Sequence, residues 1–175
     1  MKYWSIICFV LFINACTHNN WRTASREPAG IATVPSEDSR AIIEFYAADA
    51  FSWRGWFAVH PWIAIKEEKA TEYRVYEVTG WQIRQGLPAI RQYQTVTPDR
   101  YWFGSKPELL LSIKGDKASR LIPKILAAIA LYPWLNEYSI FPGPNSNTFV
   151  AWVGLQVPEL ELELPFSAIG SGYAN

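Results

Sequence analysis

Only two cysteines, two histidines and one methionine occur in the 175 residues. Two cysteines exclude a disulfide-dense scaffold and a cysteine-based zinc site. Neither sign of charge is in excess, because 16 Lys and Arg balance 16 Asp and Glu. A nucleic-acid partner, which needs a basic field, is therefore not expected. The sequence lacks a Gly-rich phosphate loop, an HExxH pair and any clustering of His with Asp and Glu. Nucleotide and metal chemistry are left without a motif, so neither a cofactor nor a metal is expected. Aromatic residues, by contrast, are abundant: Trp, Tyr and Phe number nine each and make up 15% of the chain. Half the residues are apolar and 18% are charged, which excludes a disordered protein for most of the length. The size allows one core and not two ordinary domains.

Behind Lys2, the apolar run Trp4 to Ile13 is too short for a spanning helix, which needs roughly 20 residues, and has the length of a signal-peptide core. It ends Ile13-Asn14-Ala15-Cys16, which resembles a bacterial lipoprotein box. Ile13 and Ala15 fit that box; Asn14 stands where a small or hydroxyl residue is usual. The resemblance implies a signal peptide over 1–15, cleavage before Cys16 and acylation (palmitate) of that Cys. An ordinary signal peptide followed by a chance Cys is the other reading. Thr17, and not Asp, follows Cys16, so the inner-membrane retention signal of Gram-negative lipoproteins is missing. A lipid-anchored protein on the periplasmic face of the outer membrane is the expectation. Thr17 to Asp38 is polar and carries Pro28, Gly30, Pro35 and Ser36, as a tether would. The chain thus divides into 1–15, a lipidated Cys with its tether at 16–38, and one globular domain at 39–175. Cys8 leaves with the signal, so the folded part has no free thiol.

In the domain, Ala41 to Ala48 predicts a first strand, with Ile43, Phe45 and Ala47 on one face. Trp56 to Lys66 predicts a second, with Pro61 marking a bulge or an edge. Glu72 to Thr79 predicts a third, Tyr73, Val75 and Glu77 alternating with Arg74, Tyr76 and Val78. Gly80 to Tyr101 is loop-rich with a short strand at Tyr93 to Val96, and Leu109 to Ile113 predicts another. Asp116 is placed to N-cap a helix through Leu131, in which Pro123 belongs near the first turns or else makes a kink. The rigid loop Phe141 to Thr148 leads into a second helix, Phe149 to Gln156. Glu159 to Leu164 (ELELEL) alternates strictly, the pattern of a strand with one solvated face. Strands followed by helices define an α+β fold, an antiparallel sheet packed against two helices.

His60, the one histidine of the folded part, sits mid-strand among aromatics, where a structural role is the commoner one. Ser146 lies at a loop-to-helix junction, which aims backbone N–H groups at an approaching anion or oxyanion. Ser, Asn and Thr are also the ordinary N-cap residues, and Pro-Gly-Pro is a turn. The seven tryptophans of the domain are mostly core by expectation, with a glycan or lipid platform as the second reading.

The order of these landmarks resembles the circularly permuted papain-like families, such as lecithin retinol acyltransferase and the NlpC-type amidases. HPWIAIK followed by YRVYEVTG, and then the stretch ending PGPNSNTFVAW, carry the likeness over roughly residues 55–157. The resemblance places His60 as base and Ser146 where those families have a nucleophilic Cys. Asn145 stands before it, and Asn145, Asn147 and Thr148 line the oxyanion loop. Ser in place of Cys departs from the pattern. A helix N-terminus and an imidazole make a Cys thiolate, but Ser needs a well-placed general base and an orienting third group. Glu77 is the orienter by position; a solvated edge Glu is the plain alternative. A likeness over nearly the whole domain is to a bacterial domain-of-unknown-function family, number 3750. FAVHPWIAIK, YPW, PGPNSNTF and the C-terminal LPFSAIGSGY carry it, and it implies no activity. Two functions are therefore expected. One is a Ser/His hydrolase or acyltransferase on an envelope amide or ester, with peptidoglycan or lipid as substrate. The other is a non-catalytic envelope-binding or interaction lipoprotein with a degenerate papain-like fold.

Overall fold

The computed structural model describes residues 20–175. The expected signal peptide, 1–15, and the expected lipobox at Cys16 lie outside the described residues. Five strands, β1 (Ile42–Asp49), β2 (Val59–Lys66), β3 (Tyr73–Val78), β4 (Ile90–Thr95) and β5 (Glu108–Lys114), form one sheet in the order β4-β3-β2-β1-β5. All four pairings are antiparallel. Among the described residues three α-helices accompany it: the short α1 (Gly80–Arg84), α2 (Asp116–Ala130) and α3 (Ser146–Gln156).

The sheet is covered on both faces, which explains why AIIEFYAA is almost continuously apolar where a half-solvated strand would alternate. Ile43 and Phe45 of β1, Ile63 and Ile65 of β2, and Tyr76 and Val78 of β3 meet α2 and α3 on the first face. The helices contribute Leu121, Ile125, Phe149, Val150 and Val153 to that core. Ile42 and Tyr46, Trp62 and Ala64, and Tyr73 and Val75 build a second cluster on the opposite face with Trp102 and Phe103.

Loop and N-terminal chain cover this second face. Ala24, Ile31 and Ala32 pack on it, so the packed part of the chain begins ahead of Ser39. The buried Asp99 carboxylate accepts from the backbone N–H of Ile31 at 2.6 Å and of Ala32 at 3.1 Å. Tyr73 Oη donates to the Thr33 carbonyl at 2.9 Å, and the Thr33 hydroxyl donates to Glu44 at 3.0 Å. The polar stretch expected to be a tether thus lies, over these residues, as a strap. Hydrogen bonds to a charged group contribute about 1.5–3 kcal/mol each. Asp99→Ala should therefore release the strap, and limited proteolysis should cut between Trp21 and Glu37 well before the domain unfolds. Equal resistance in the variant and the parent would mean that the apolar packing and the bonds of Tyr73 and Glu44 hold it without Asp99.

Several expected elements differ in detail. Residues 56–58 precede β2, because Ser52–Trp56 forms a 3-10 helix. Pro61 occupies an interior strand, yet β3 pairs with β2 only over Ile63–Ile65. The proline thus falls where β2 has one unpaired side, which is the edge condition it needs. Asp116 opens α2 from inside, and Gly115 at φ 68° occupies the cap position. Pro123 is well inside that helix, past its first turns. The second predicted helix starts three residues earlier, at Ser146. ELELEL forms no strand: Pro158–Leu160 is a 3-10 turn, and residues 161–164 have no sheet partner. Its alternation has another cause, since Leu160 is buried and Leu162 and Leu164 pack on the first-face core while the glutamates face outward.

Candidate functional site

α3 begins where it does because Asn145 caps it. The Asn145 side-chain oxygen accepts from the N–H groups of Asn147 at 2.9 Å and Thr148 at 3.1 Å, and Thr148 Oγ1 accepts in return from the Asn145 N–H at 3.1 Å. This reciprocal capping box satisfies the free donors of the first turn. The Asn145 amide nitrogen ties the cap to two loops through the carbonyls of Ile140 and Ile169, each at 3.1 Å. Asn147 Nδ2 donates to the Ile169 carbonyl at 2.9 Å and to the Val59 carbonyl at 3.1 Å. The first turn of α3 is therefore fastened to β2 one residue before His60. Ser146 is 4% exposed and His60 6%. Among the described residues no hydrogen bond joins the two. The three oxyanion candidates, Asn145, Asn147 and Thr148, spend most of their polar atoms on the cap and these loop ties. Asn147 Oδ1 is buried without a partner.

His60 and Glu77 meet on the second face of the sheet. His60 follows the same parity as Trp62 and Ala64, and Glu77 that of Tyr73 and Val75. His60 Nε2 lies 3.4 Å from Glu77 Oε2. The imidazole stacks on Trp102, with ring centres 3.6 Å apart and planes 7° from parallel. Glu77 is fully buried and has two further partners. Arg100 Nη2 donates to both of its oxygens at 3.0 and 2.9 Å, and Arg91 Nη1 to Oε1 at 3.1 Å. Arg91 faces Glu77 directly across the β3–β4 pair, and Tyr93 Oη accepts from Arg100 Nε at 2.8 Å.

Burial pushes the His60 pKa down, and this outweighs the opposing pull of Glu77. Burial works to raise the Glu77 pKa, but the hydrogen bond with His60 and the charges of Arg100 and Arg91 hold it below the usual carboxylate range. The neutral imidazole therefore donates its Nε2 proton to an ionised carboxylate and keeps Nδ1 as an acceptor. A second carboxylate, Glu44, is buried on the same face and accepts from Tyr46 Oη at 2.6 Å. Burial, then the nearby Glu44 charge, drives the Tyr46 hydroxyl far above its ordinary pKa, so it remains a donor.

Of the predicted site residues, His60 and Glu77 form one cluster, and Ser146, Asn145, Asn147 and Thr148 form another at the start of α3. Sequence reasoning misses Arg91, Arg100 and Trp102. Arg91 follows from the β3–β4 register once β4 is extended back to Ile90. Arg100 and Trp102 arrive from a loop and carry no local signal. No group of three or more His, Cys, Asp or Glu side chains among the described residues is arranged to hold a metal.

These features define a mixed α+β layer protein, with an antiparallel sheet, helices on one face, and a buried His–Glu–Arg cluster on the other. Residues 40–173 match the family described as Protein of unknown function (DUF3750), and the chain belongs to that family. No curated protein and no solved structure matches the chain.

Proposed function

We propose that the protein is a non-catalytic envelope lipoprotein, anchored through Cys16 on the periplasmic side of the outer membrane. In this reading it keeps a degenerate papain-like layout as a binding or interaction scaffold. The observation that carries the non-catalytic part is the division of the sheet. His60 and Glu77 project from the face opposite α3, while α3, with Ser146 at its start, packs on the first face. His60 is sealed by Trp102, and its carboxylate partner is shared with two arginines. A base that must reach a serine hydroxyl needs hydrogen-bond reach of it, about 3 Å and looser without substrate. A buried ionic cluster stacked on tryptophan needs only its own packing.

The hydrolase or acyltransferase reading has two specific observations in its favour. The His60–Glu77 contact leaves Nδ1 as the free acceptor, and the Asn147–Val59 bond draws the start of α3 to the strand end that holds His60. Labelling separates the two readings. A fluorophosphonate probe should show no labelling that depends on Ser146, and Ser146→Cys should alkylate with iodoacetamide no faster than an ordinary thiol of pKa about 8.5. Labelling that disappears in both Ser146→Ala and His60→Gln would overturn the scaffold reading, as would a Cys variant reactive well below neutral pH.

A further inference from the structure

The exposed tryptophans and phenylalanines gather at one end of the molecule. β1 ends there, β2 begins there and β3 leaves there, so the connections at that end come together. Trp53 and Trp56, in the 3-10 helix between β1 and β2, are 58% and 87% exposed, and Phe57 follows them. Trp53 and Phe57 lie 5.6 Å apart, with the Arg54 guanidinium 6.0 Å from the Trp53 ring centre. Phe166 is fully exposed beside them, because the Ser167 carbonyl accepts from the Val59 N–H at 3.1 Å. Phe141, 74% exposed, belongs to the loop that Asn145 ties to Ile169. Burying such side chains in water-free surroundings is favourable, and a contiguous set of them marks an interaction surface.

The described chain begins beside this surface, where the Ser25 carbonyl accepts from the Gly104 N–H and the Asn20 carbonyl from the Thr23 and Ala24 N–H groups, each at 2.9 Å. Arg26 lies over the Phe103 ring at 4.3 Å, and Phe103 touches Phe51 at 5.1 Å and Trp81 at 5.2 Å, all at the same end. Arg26 also donates to the Trp21 carbonyl at 2.9 Å. Cys16 stands four residues before Asn20, a stretch that spans at most about 14 Å even when fully extended. An acyl chain on Cys16 would therefore bring this end of the domain close to the bilayer.

We infer that the aromatic end, centred on Trp53, Trp56, Phe57, Phe141 and Phe166, docks onto the lipid surface itself. The inference rests on the lipid-anchor reading for its geometry. Trp rings sit at the boundary of headgroups and acyl chains because one edge is apolar and the other donates a hydrogen bond. Arg22, Arg26 and Arg54 at the same end suit anionic headgroups. A lipid anchor holds the chain at the membrane without fixing how the domain lies on it, and a second apolar contact fixes that orientation.

The test uses the acylated protein in phosphatidylethanolamine–phosphatidylglycerol vesicles. Its folded part has no cysteine, so Phe166→Cys and Val96→Cys each give one labelling site, at the aromatic end and at the opposite end. A bimane at position 166 should shift to the blue and be quenched several-fold more by shallow spin-labelled lipid than one at 96. Trp53→Ser with Trp56→Ser should reduce that quenching while leaving the thermal midpoint unchanged, since both side chains are exposed. Equal, weak quenching at both positions in the anchored protein would overturn the docking, and would leave the aromatic end to a protein partner. Acylation is read separately by mass. If Cys16 carries no lipid, the same variants are made with Cys8→Ser and Cys16→Ser, so that one thiol remains, and the labelled proteins are titrated with free vesicles. A saturable shift at 166 alone then upholds the docking without the anchor, and no shift overturns it.

Discussion

Glu77→Ala should destabilise the protein by about 3–5 kcal/mol, the cost of leaving a buried charge without its counter-charge. Glu77 is fully buried and accepts from Arg100, Arg91 and His60. Its removal strands the Arg100 guanidinium, whose side chain is only 16% exposed, and leaves the His60 Nε2 proton without an acceptor. Arg91 is half exposed and recovers water, so it adds little. Glu77→Gln keeps the shape and loses the charge, and should fall between the parent and Glu77→Ala. Chemical denaturation at neutral pH measures all three. A loss below about 1 kcal/mol for Glu77→Ala would be the value of an exposed pair and would show that water enters the cluster.

The same cluster sets an acid dependence whose sign can be worked out. Both shifts are downward: His60 from 6.5 and Glu77 from 4.5. In each case the unfolded chain binds the proton more readily than the folded one. Stability is therefore whole above about pH 6.5 and is lost as pH falls, first through His60 and then, below about pH 4.5, through Glu77. One proton contributes a slope of at most about 1.4 kcal/mol per pH unit. His60→Gln should remove the upper part of this slope and leave the lower part.

The strands were legible from residues because their pattern is local. EYRVYEVT alternates, and its two faces are those observed: Tyr73 and Val75 join the second cluster, Tyr76 and Val78 the first. The nearness of Glu77 to His60 follows from the same alternation plus adjacency of two consecutive strands. Three things were not local. The covering of the second face depends on residues 24–33 and 99–103 returning to it from far along the chain. Arg91 and Arg100 reach Glu77 through strand register and loop path. ELELEL has the period of a strand, but what each leucine satisfies is a helix-side core, and no neighbouring strand among the described residues pairs with it. Alternation reports burial on one side; a partner must be supplied by topology.

Two glycines in the C-terminal segment, two residues apart, should answer the same substitution in opposite ways. Gly170 has φ +94°, a conformation that costs any other residue strain. A Cβ there would also overlap the Asn145 amide nitrogen and lie 2.8 Å from the Pro142 carbonyl oxygen. Neither neighbour can retreat cheaply. Asn145 caps α3 and holds the Ile140 and Ile169 carbonyls, while the Gly170 carbonyl itself accepts from Thr148 Oγ1 at 2.7 Å. Backbone strain and overpacking each cost about 1–3 kcal/mol, so Gly170→Ala should lose roughly 2–5 kcal/mol and loosen the start of α3. Gly172 has ordinary φ, and a Cβ there meets nothing within 4 Å. Gly172→Ala should be neutral or stabilise by about 0.4–1 kcal/mol, through the reduced freedom of the unfolded chain. Thermal unfolding of the two variants beside the parent reads the contrast, and hydrogen exchange at Asn147 and Thr148 reports whether the cap is the part that gives. Similar midpoints for the two variants would mean that the C-terminal segment is not the lock on α3 that its hydrogen bonds describe.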